Sequence, residues 1–205
     1  VQTRILIDNL EKLTGNDIKY KVAVLLDIFI GARLGELAGL EWSDIDLKNG
    51  IISINKSSQY LSDKGIFTKS PKSSIREVAI PDFIVSLLEE YKLWYEEQKS
   101  IVGDFWHDSD RLFVQVDGKP ITPSTISKWF EKFIKKIGLP VITFHGLRHT
   151  NATLLIAQQV DVATVSARLG HAQITTTYNF YVHPLKSHDK HAGNVLENLL
   201  VTNAH

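Results

Sequence analysis

The sequence predicts an α+β chain that is mainly α, with a small antiparallel three-stranded sheet on one edge. Two observations carry that prediction. Apolar residues recur every three to four positions through most of the chain, as in Ile18, Val22, Leu25, Leu26 and Phe29, which is the spacing of one buried helix face. From Gly50 the period changes to two, with Ile52 and Ile54 apolar and Ser53 and Asn55 polar, the alternation of a half-buried strand. A hydrophobic share of 43% over 205 residues is enough to bury one full core.

Taken in order, residues 2–13 read as a helix with Ile5, Leu6, Leu10 and Leu13 on one side, stopped by Gly15. Asn16 or Asp17 can cap the next helix, which runs to about Phe29. Gly31, Arg33, Gly35 and Glu36 follow, and Trp42 to Asp46 read as a cap and turn packing an aromatic. Ile52 and Ile54, then Ile66 and Phe67, suggest a hairpin around Asp63, Lys64 and Gly65, and residues 75–81 add the third strand. A small polar loop at 68–74, with Lys69 and Lys72, separates the last two.

Asp82 is expected to cap a long helix to about Gln98, followed by a loop over 99–110 and a brief strand over 111–116. Thr122 and Pro123 open a further helix in the capped manner. It turns Ile126, Trp129, Phe130, Phe133, Ile134 and Ile137 inward and Lys128, Lys132, Lys135 and Lys136 outward. Residues 145–159 and 161–169 form two more helices, the second capped by Asp161 and ended by Gly170. A third covers roughly 175–182, and after a basic, histidine-rich linker a terminal helix carries the apolar stripe Val195, Leu196, Leu199 and Leu200.

Composition bounds the function. There is no cysteine, so disulfides and thiolate metal sites are excluded, in keeping with a cytoplasmic location. No apolar run reaches the roughly 20 residues of a membrane span. Lys plus Arg and Asp plus Glu number 23 each, so any polyanion-binding surface must be a local patch. The four lysines at 128, 132, 135 and 136 are either a solvated face or that patch. The chain starts at Val1 and has no methionine, and it is expected to be a fragment of a longer protein.

The chemistry concentrates between His145 and Tyr181. His145 and His149 stand at i and i+4, a spacing that can hold zinc, but no glutamate lies between them and no third ligand follows by spacing, so no metal is expected. Arg148 shares a helix face with His145. With Arg33, Lys72, His171 and Tyr181, the set gathers anion binders, proton carriers and one nucleophile, which suits reaction at a phosphate. For Arg33 the structural alternative is a surface ion pair with Glu36.

Several blocks, in order, carry a resemblance: Gly31-Ala-Arg33-Leu-Gly-Glu36 with Leu40, Trp42 and Asp44-Ile-Asp46; Pro71-Lys72-Ser with Arg76; His145-Gly-Leu-Arg148-His149; Leu169-Gly-His171; and Tyr181 with Val182-His183. The chain resembles the catalytic domain of the tyrosine recombinases, the phage integrase family, over nearly its whole length. The resemblance implies a helical catalytic domain over 1–186 and a C-terminal linker and helix over 187–205 that packs in trans on the next protomer. It also implies a family N-terminal core-binding domain that this chain lacks.

It further implies a site-specific recombinase that acts on double-stranded DNA at specific attachment sites as a homotetramer, with no cofactor. Arg33 and Arg148 would hold the scissile phosphate, and Tyr181 would attack it to form a 3′-phosphotyrosyl bond. His145 would be the general base or its relay, and His171 a further hydrogen bonder. Lys72, with Lys69 as the alternative, would protonate the leaving 5′-oxygen, and Glu36 would brace the site. Lys69, Lys128, Lys132 and Lys135 are the expected DNA contacts. The alternatives are strand relaxation of the type IB topoisomerase kind, or a DNA-binding protein of the same fold without catalysis.

Overall fold

A computed structural model describes residues 2–72 and 75–178. Its centre is helix α2 (Ile18–Ile30), in which Val22, Ala23, Val24, Leu25, Leu26 and Ile30 are all buried. A helix apolar on several sides has to be wrapped, and α2 is: it packs against α4 (Asp82–Val102), α5 (Pro123–Lys136) and α6 (Phe144–Ala157). Each fully buried Leu or Ile there contributes about 1.5–3 kcal/mol of transfer free energy, so α2 is the element the fold can least spare.

The other helices close the layers. In α1 (Gln2–Leu10), Leu6 and Leu10 face the core. It ends before the expected Leu13, and a 3-10 turn at Gly15–Asp17 leads into α2. Helix α3 (Leu34–Gly39) is short, and α7 (Val162–Leu169) packs on α6 through a small cluster of Ala152, Ile156, Val165 and Leu169. Asp161 caps α7, its carboxylate accepting the Thr164 N–H at 2.9 Å. Helix α5 is amphipathic as read: Ile126, Phe130, Phe133 and Ile134 are buried, while Lys128, Lys132, Lys135 and Lys136 are exposed. Tyr20 of α2 stacks on its Trp129 with ring centroids 4.4 Å apart.

The three-stranded antiparallel sheet is present, with a different membership from the expected one. Its order is β1 (Ile45–Asp46), β2 (Ile51–Ile54), β5 (Arg76–Ala79), so β2 pairs directly with β5, Ile52 opposite Val78. The turn at Asp63 to Gly65 does form a hairpin, but it joins β3 (Ser57–Leu61) to β4 (Gly65–Lys69) as a separate two-stranded ribbon. The physical reason is burial. Ile52 and Ile54 are wholly buried on the core, whereas Ile66 and Phe67 are only half-buried, so the strands that share the core face pair with each other. Two smaller expectations also fail. Helix α4 runs on to Val102 and a 3-10 turn at Gly103–Phe105, and the stretch 111–116 makes only the isolated bridges Glu41 to Arg111 and Val114 to Pro120. The expected terminal helix and its stripe lie outside the described residues.

Candidate active site

Arg33 owes its position to the way α2 ends. Gly31 is left-handed (φ 59), and its N–H returns to the Asp27 carbonyl at 2.8 Å. The left-handed backbone calls for glycine, and a Cβ there would also crowd Leu169 Cδ2 at 2.7 Å. Two residues on, Arg33 is extended, and Glu36 in the first turn of α3 reaches back to accept its N–H at 3.0 Å and its Nη1 at 3.2 Å. The ion pair considered from sequence therefore exists. It is not a surface pair, since the Glu36 side chain is 1% exposed, while Arg33 remains 36% exposed and can still meet a ligand.

The same carboxylate is held from behind. Arg76 of β5 donates Nη2 to Glu36 at 2.9 Å and Nε to the Arg168 carbonyl at 2.7 Å. It lies directly under the turn into His171: a Cβ on Gly170 (φ 70) would meet Arg76 Nη1 at 2.7 Å. Arg76 thus ties α3, β5 and the end of α7 together. The sequence marked it only as part of a block.

Arg148, the fifth residue of α6, is buried. Its Nη1 donates to the Gly31 carbonyl at 2.7 Å, and its buried Nη2 has no hydrogen-bond partner among the described residues. Burial, reinforced by Arg33 and Arg76, brings this guanidinium down to about 10. Asn151, one turn later, donates to the carbonyls of Ile28 and Phe29, and Arg168 donates to those of Phe29 and Ala79. These side chains satisfy the last carbonyls of α2 and so dock α6 and α7 at the corner that carries Arg33. No periodicity or motif signals them.

The histidines sit in the same field. His171 is pushed down to about 4, first by burial and then by Arg148, Arg33 and Arg76. His145 is lowered by burial, His149, Arg148 and Arg33. Both rings are neutral near pH 7. The rings of His145 and His149 meet edge-on at 4.8 Å, and among the described residues no three His, Cys, Asp or Glu side chains group as metal ligands.

Lys72 is exposed and lines a cavity of about 600 Å³ with Arg33, Glu36, Ser57, Tyr60 and Ser124. Lys69, at the end of β4, is not in that lining. Lys128, Lys132 and Lys135 stand on the outer face of α5, Lys135 paired with Glu131 at 3.1 Å. The structure therefore brings Arg33, Arg148, His145 and His171 within one electrostatic neighbourhood and puts Lys72 on the wall of a cavity that Arg33 also lines. Tyr181 lies outside the described residues. Tyr178, half exposed, is the last residue before them.

Below this corner is a residue that no sequence pattern singles out. Asp27 of α2 is wholly buried, and burial raises its carboxyl well above the usual range against the opposing pull of Arg148.

The fold and this arrangement define a class, and comparison with known proteins supplies its name. The model of the phage integrase family matches residues 2–188, and the chain belongs to that family. It is similar to a XerC-like tyrosine recombinase of Caldanaerobacter subterraneus subsp. tengcongensis, 32% identical over 204 residues, 93% of this chain and 52% of the relative. It is equally similar to the ICEBs1 integrase of Bacillus subtilis, 32% over 182 residues, 88% and 49%. The chain thus spans about half the length of these curated relatives. Among solved structures, the Tn1549 transposon integrase in complex with transposon right end DNA shares the fold, with a TM-score of 0.75 at 22% identity over 88% of this chain and 59% of that one. The XerH recombinase bound to a palindromic difH substrate, a post-cleavage complex, superposes with a TM-score of 0.69 at 25% identity over 96% and 52%. Among the described residues no helix is long and apolar enough to cross a membrane.

Proposed function

We propose that this chain is the strand-transferring domain of a site-specific DNA recombinase, which cuts and rejoins double-stranded DNA through a 3′-phosphotyrosyl intermediate. The observation that carries the reading is the convergence of Arg33, Arg148 and Arg76 on one corner. There burial first, and the neighbouring guanidinium charges second, lower both His171 and Arg148, and a buried Arg148 Nη2 remains without a protein partner among the described residues. A scissile phosphate would supply the missing negative charge and acceptors. Planar guanidinium forks suit its non-bridging oxygens, and their stabilisation grows as charge builds in the transition state.

In this reading the Tyr181 oxygen forms the new bond to phosphorus and its proton passes to His145, whose neutral ring can accept it. The bond to the 5′-oxygen breaks, and Lys72 protonates that oxygen. His171 hydrogen-bonds the phosphate. Glu36 fixes Arg33 and does not react. The ester conserves the bond energy, so a second 5′-hydroxyl can reverse the step onto another strand without ATP. Lys69, Lys128, Lys132 and Lys135 contribute phosphate contacts. Four protomers assemble at paired attachment sites, with residues 187–205 packing in trans through Val195, Leu196, Leu199 and Leu200.

Support for a DNA substrate comes from the related integrase and recombinase structures bound to DNA. The test is incubation of the full-length protein with attachment-site DNA carrying a nick that traps the covalent adduct, followed by mapping of the linked peptide. Linkage at Tyr181 with strand exchange is expected, and linkage at Tyr178 would displace the assigned nucleophile. Relaxation of supercoils without exchange would make the protein a topoisomerase, and an absent adduct would leave a DNA-binding protein only.

A further inference from the structure

His171 Nδ1 lies 2.7 Å from the hydroxyl of Thr177, which is wholly buried in helical residues 174–178. A neutral imidazole carries one N–H, and the partner of one ring nitrogen decides where it sits. Threonines in helices commonly direct the hydroxyl proton to the carbonyl four residues back. Thr150 and Thr153 of α6 do so, to Gly146 and His149. Thr177 differs, because its single side-chain hydrogen bond among the described residues is the one to His171. If it accepted from Nδ1–H, its own buried proton would have no acceptor there, an arrangement that buried hydroxyls avoid.

We infer that the Thr177 hydroxyl donates to Nδ1 of His171 and so holds the ring as the Nε2–H tautomer. Thr177 is then a positioning residue: it makes His171 a donor toward an acceptor-only oxygen. It also stands four residues before Tyr181, so one buried hydroxyl ties the segment leading to the nucleophile to the arginine corner. The tautomer stands on the geometry alone, and its use toward phosphate rests on the recombinase reading.

The experiment is nitrogen NMR of this chain labelled at histidine, with the His171 signal identified by its loss in His171→Gln. The wild type should show protonated Nε2 and bare Nδ1. Thr177→Val, of the same shape without the hydroxyl, should shift the ring toward the Nδ1–H form, and Thr177→Ser should restore the wild-type signal. Cleavage of the trapping substrate should fall about tenfold in Thr177→Val, the worth of roughly one hydrogen bond, and recover in Thr177→Ser. An Nδ1–H signal in the wild type overturns the inference even if the valine variant fails to fold, as does an unchanged tautomer in a folded valine variant. A shifted tautomer with undiminished cleavage removes the positioning role. An unreactive wild type with the expected signal overturns the recombinase reading, and with it the positioning role, but leaves the tautomer assigned.

Discussion

Arg76 and Glu36 form a buried ion pair, Nη2 to Oε2 at 2.9 Å, with side chains 6% and 1% exposed. A pair so buried is weak evidence of net stability but costly to break from one side. Arg76→Ala should therefore destabilise the chain by about 3–5 kcal/mol, measured by urea unfolding. Arg76→Lys should recover only part of that, because a single ammonium cannot span both Glu36 and the Arg168 carbonyl as the fork does. A lysine variant as stable as wild type would show that the bridge between β5 and α7 contributes little.

Arg33 and Arg148 should separate by stability while agreeing in activity. Each is expected to lose on the order of 100-fold or more in strand cleavage on replacement by alanine, as for other preorganised donors to a developing anion. Arg33 is part-exposed and held by Glu36, so its alanine variant should unfold near the wild-type midpoint. Arg148 is buried and bonded to the Gly31 carbonyl, so its loss should lower the midpoint as well. Thermal unfolding beside single-turnover cleavage reads both, and equal midpoints for the two variants would contradict the geometry.

Acid should weaken the fold earlier than carboxylate protonation requires. His171 is held at about 4 against an ordinary 6.5, and His145 is also lowered. A histidine depressed in the folded state leaves the unfolded chain binding the extra proton, so stability is full above the ordinary value and falls as pH drops from 6.5 toward 4. His171→Gln should flatten that limb of a stability profile taken by chemical denaturation across this window. An unaltered slope would show that His171 titrates as an exposed imidazole.

The outward lysines of α5 should act on affinity and not on the chemical step. Replacing Lys128 or Lys132 by glutamine should weaken DNA binding for all sequences alike. It should also reduce the steepness of log affinity against log salt by about one for each phosphate left without its cation. Lys135, already paired with Glu131, should contribute less. Filter binding over a salt series measures this, and a lysine whose removal leaves the slope unchanged belongs to the solvated face.

The sequence disclosed what is local and hid what is made at a distance. The periodic apolar faces of α2, α4 and α5 were legible, as were Asp161 as a cap and Gly170 as a helix end, because each is decided within a turn or two. The partner of β2 was not legible, because Ile52 to Val78 is a pairing across an intervening hairpin that burial decides. In the site, Arg33, Lys72, His145, Arg148 and His171 stood out by residue type in blocks. Asn151 and Arg168, which dock α6 and α7 on the carbonyls of α2, occupy ordinary helical positions and acquire their task only from what lies opposite.

Asp27 offers the last test, since its sign is opposite to that of His171. Its carboxyl is raised by burial, with Arg148 pulling the other way as the larger of the nearby charges. For an acid raised in the folded state, the unfolded chain releases its proton first, so stability declines as pH rises from the ordinary 3.8 toward the folded value and is level beyond it. Asp27→Asn removes that ionisation and keeps the shape. The variant should therefore be more stable than wild type at neutral pH, with the gain shrinking toward pH ~4, measured as the difference between two denaturation series. If the asparagine variant is instead less stable at neutral pH, the carboxylate is ionised and its attraction to Arg148 outweighs the cost of burial. Asp27 would then be a counter-charge for the arginine corner and not a strain beneath it.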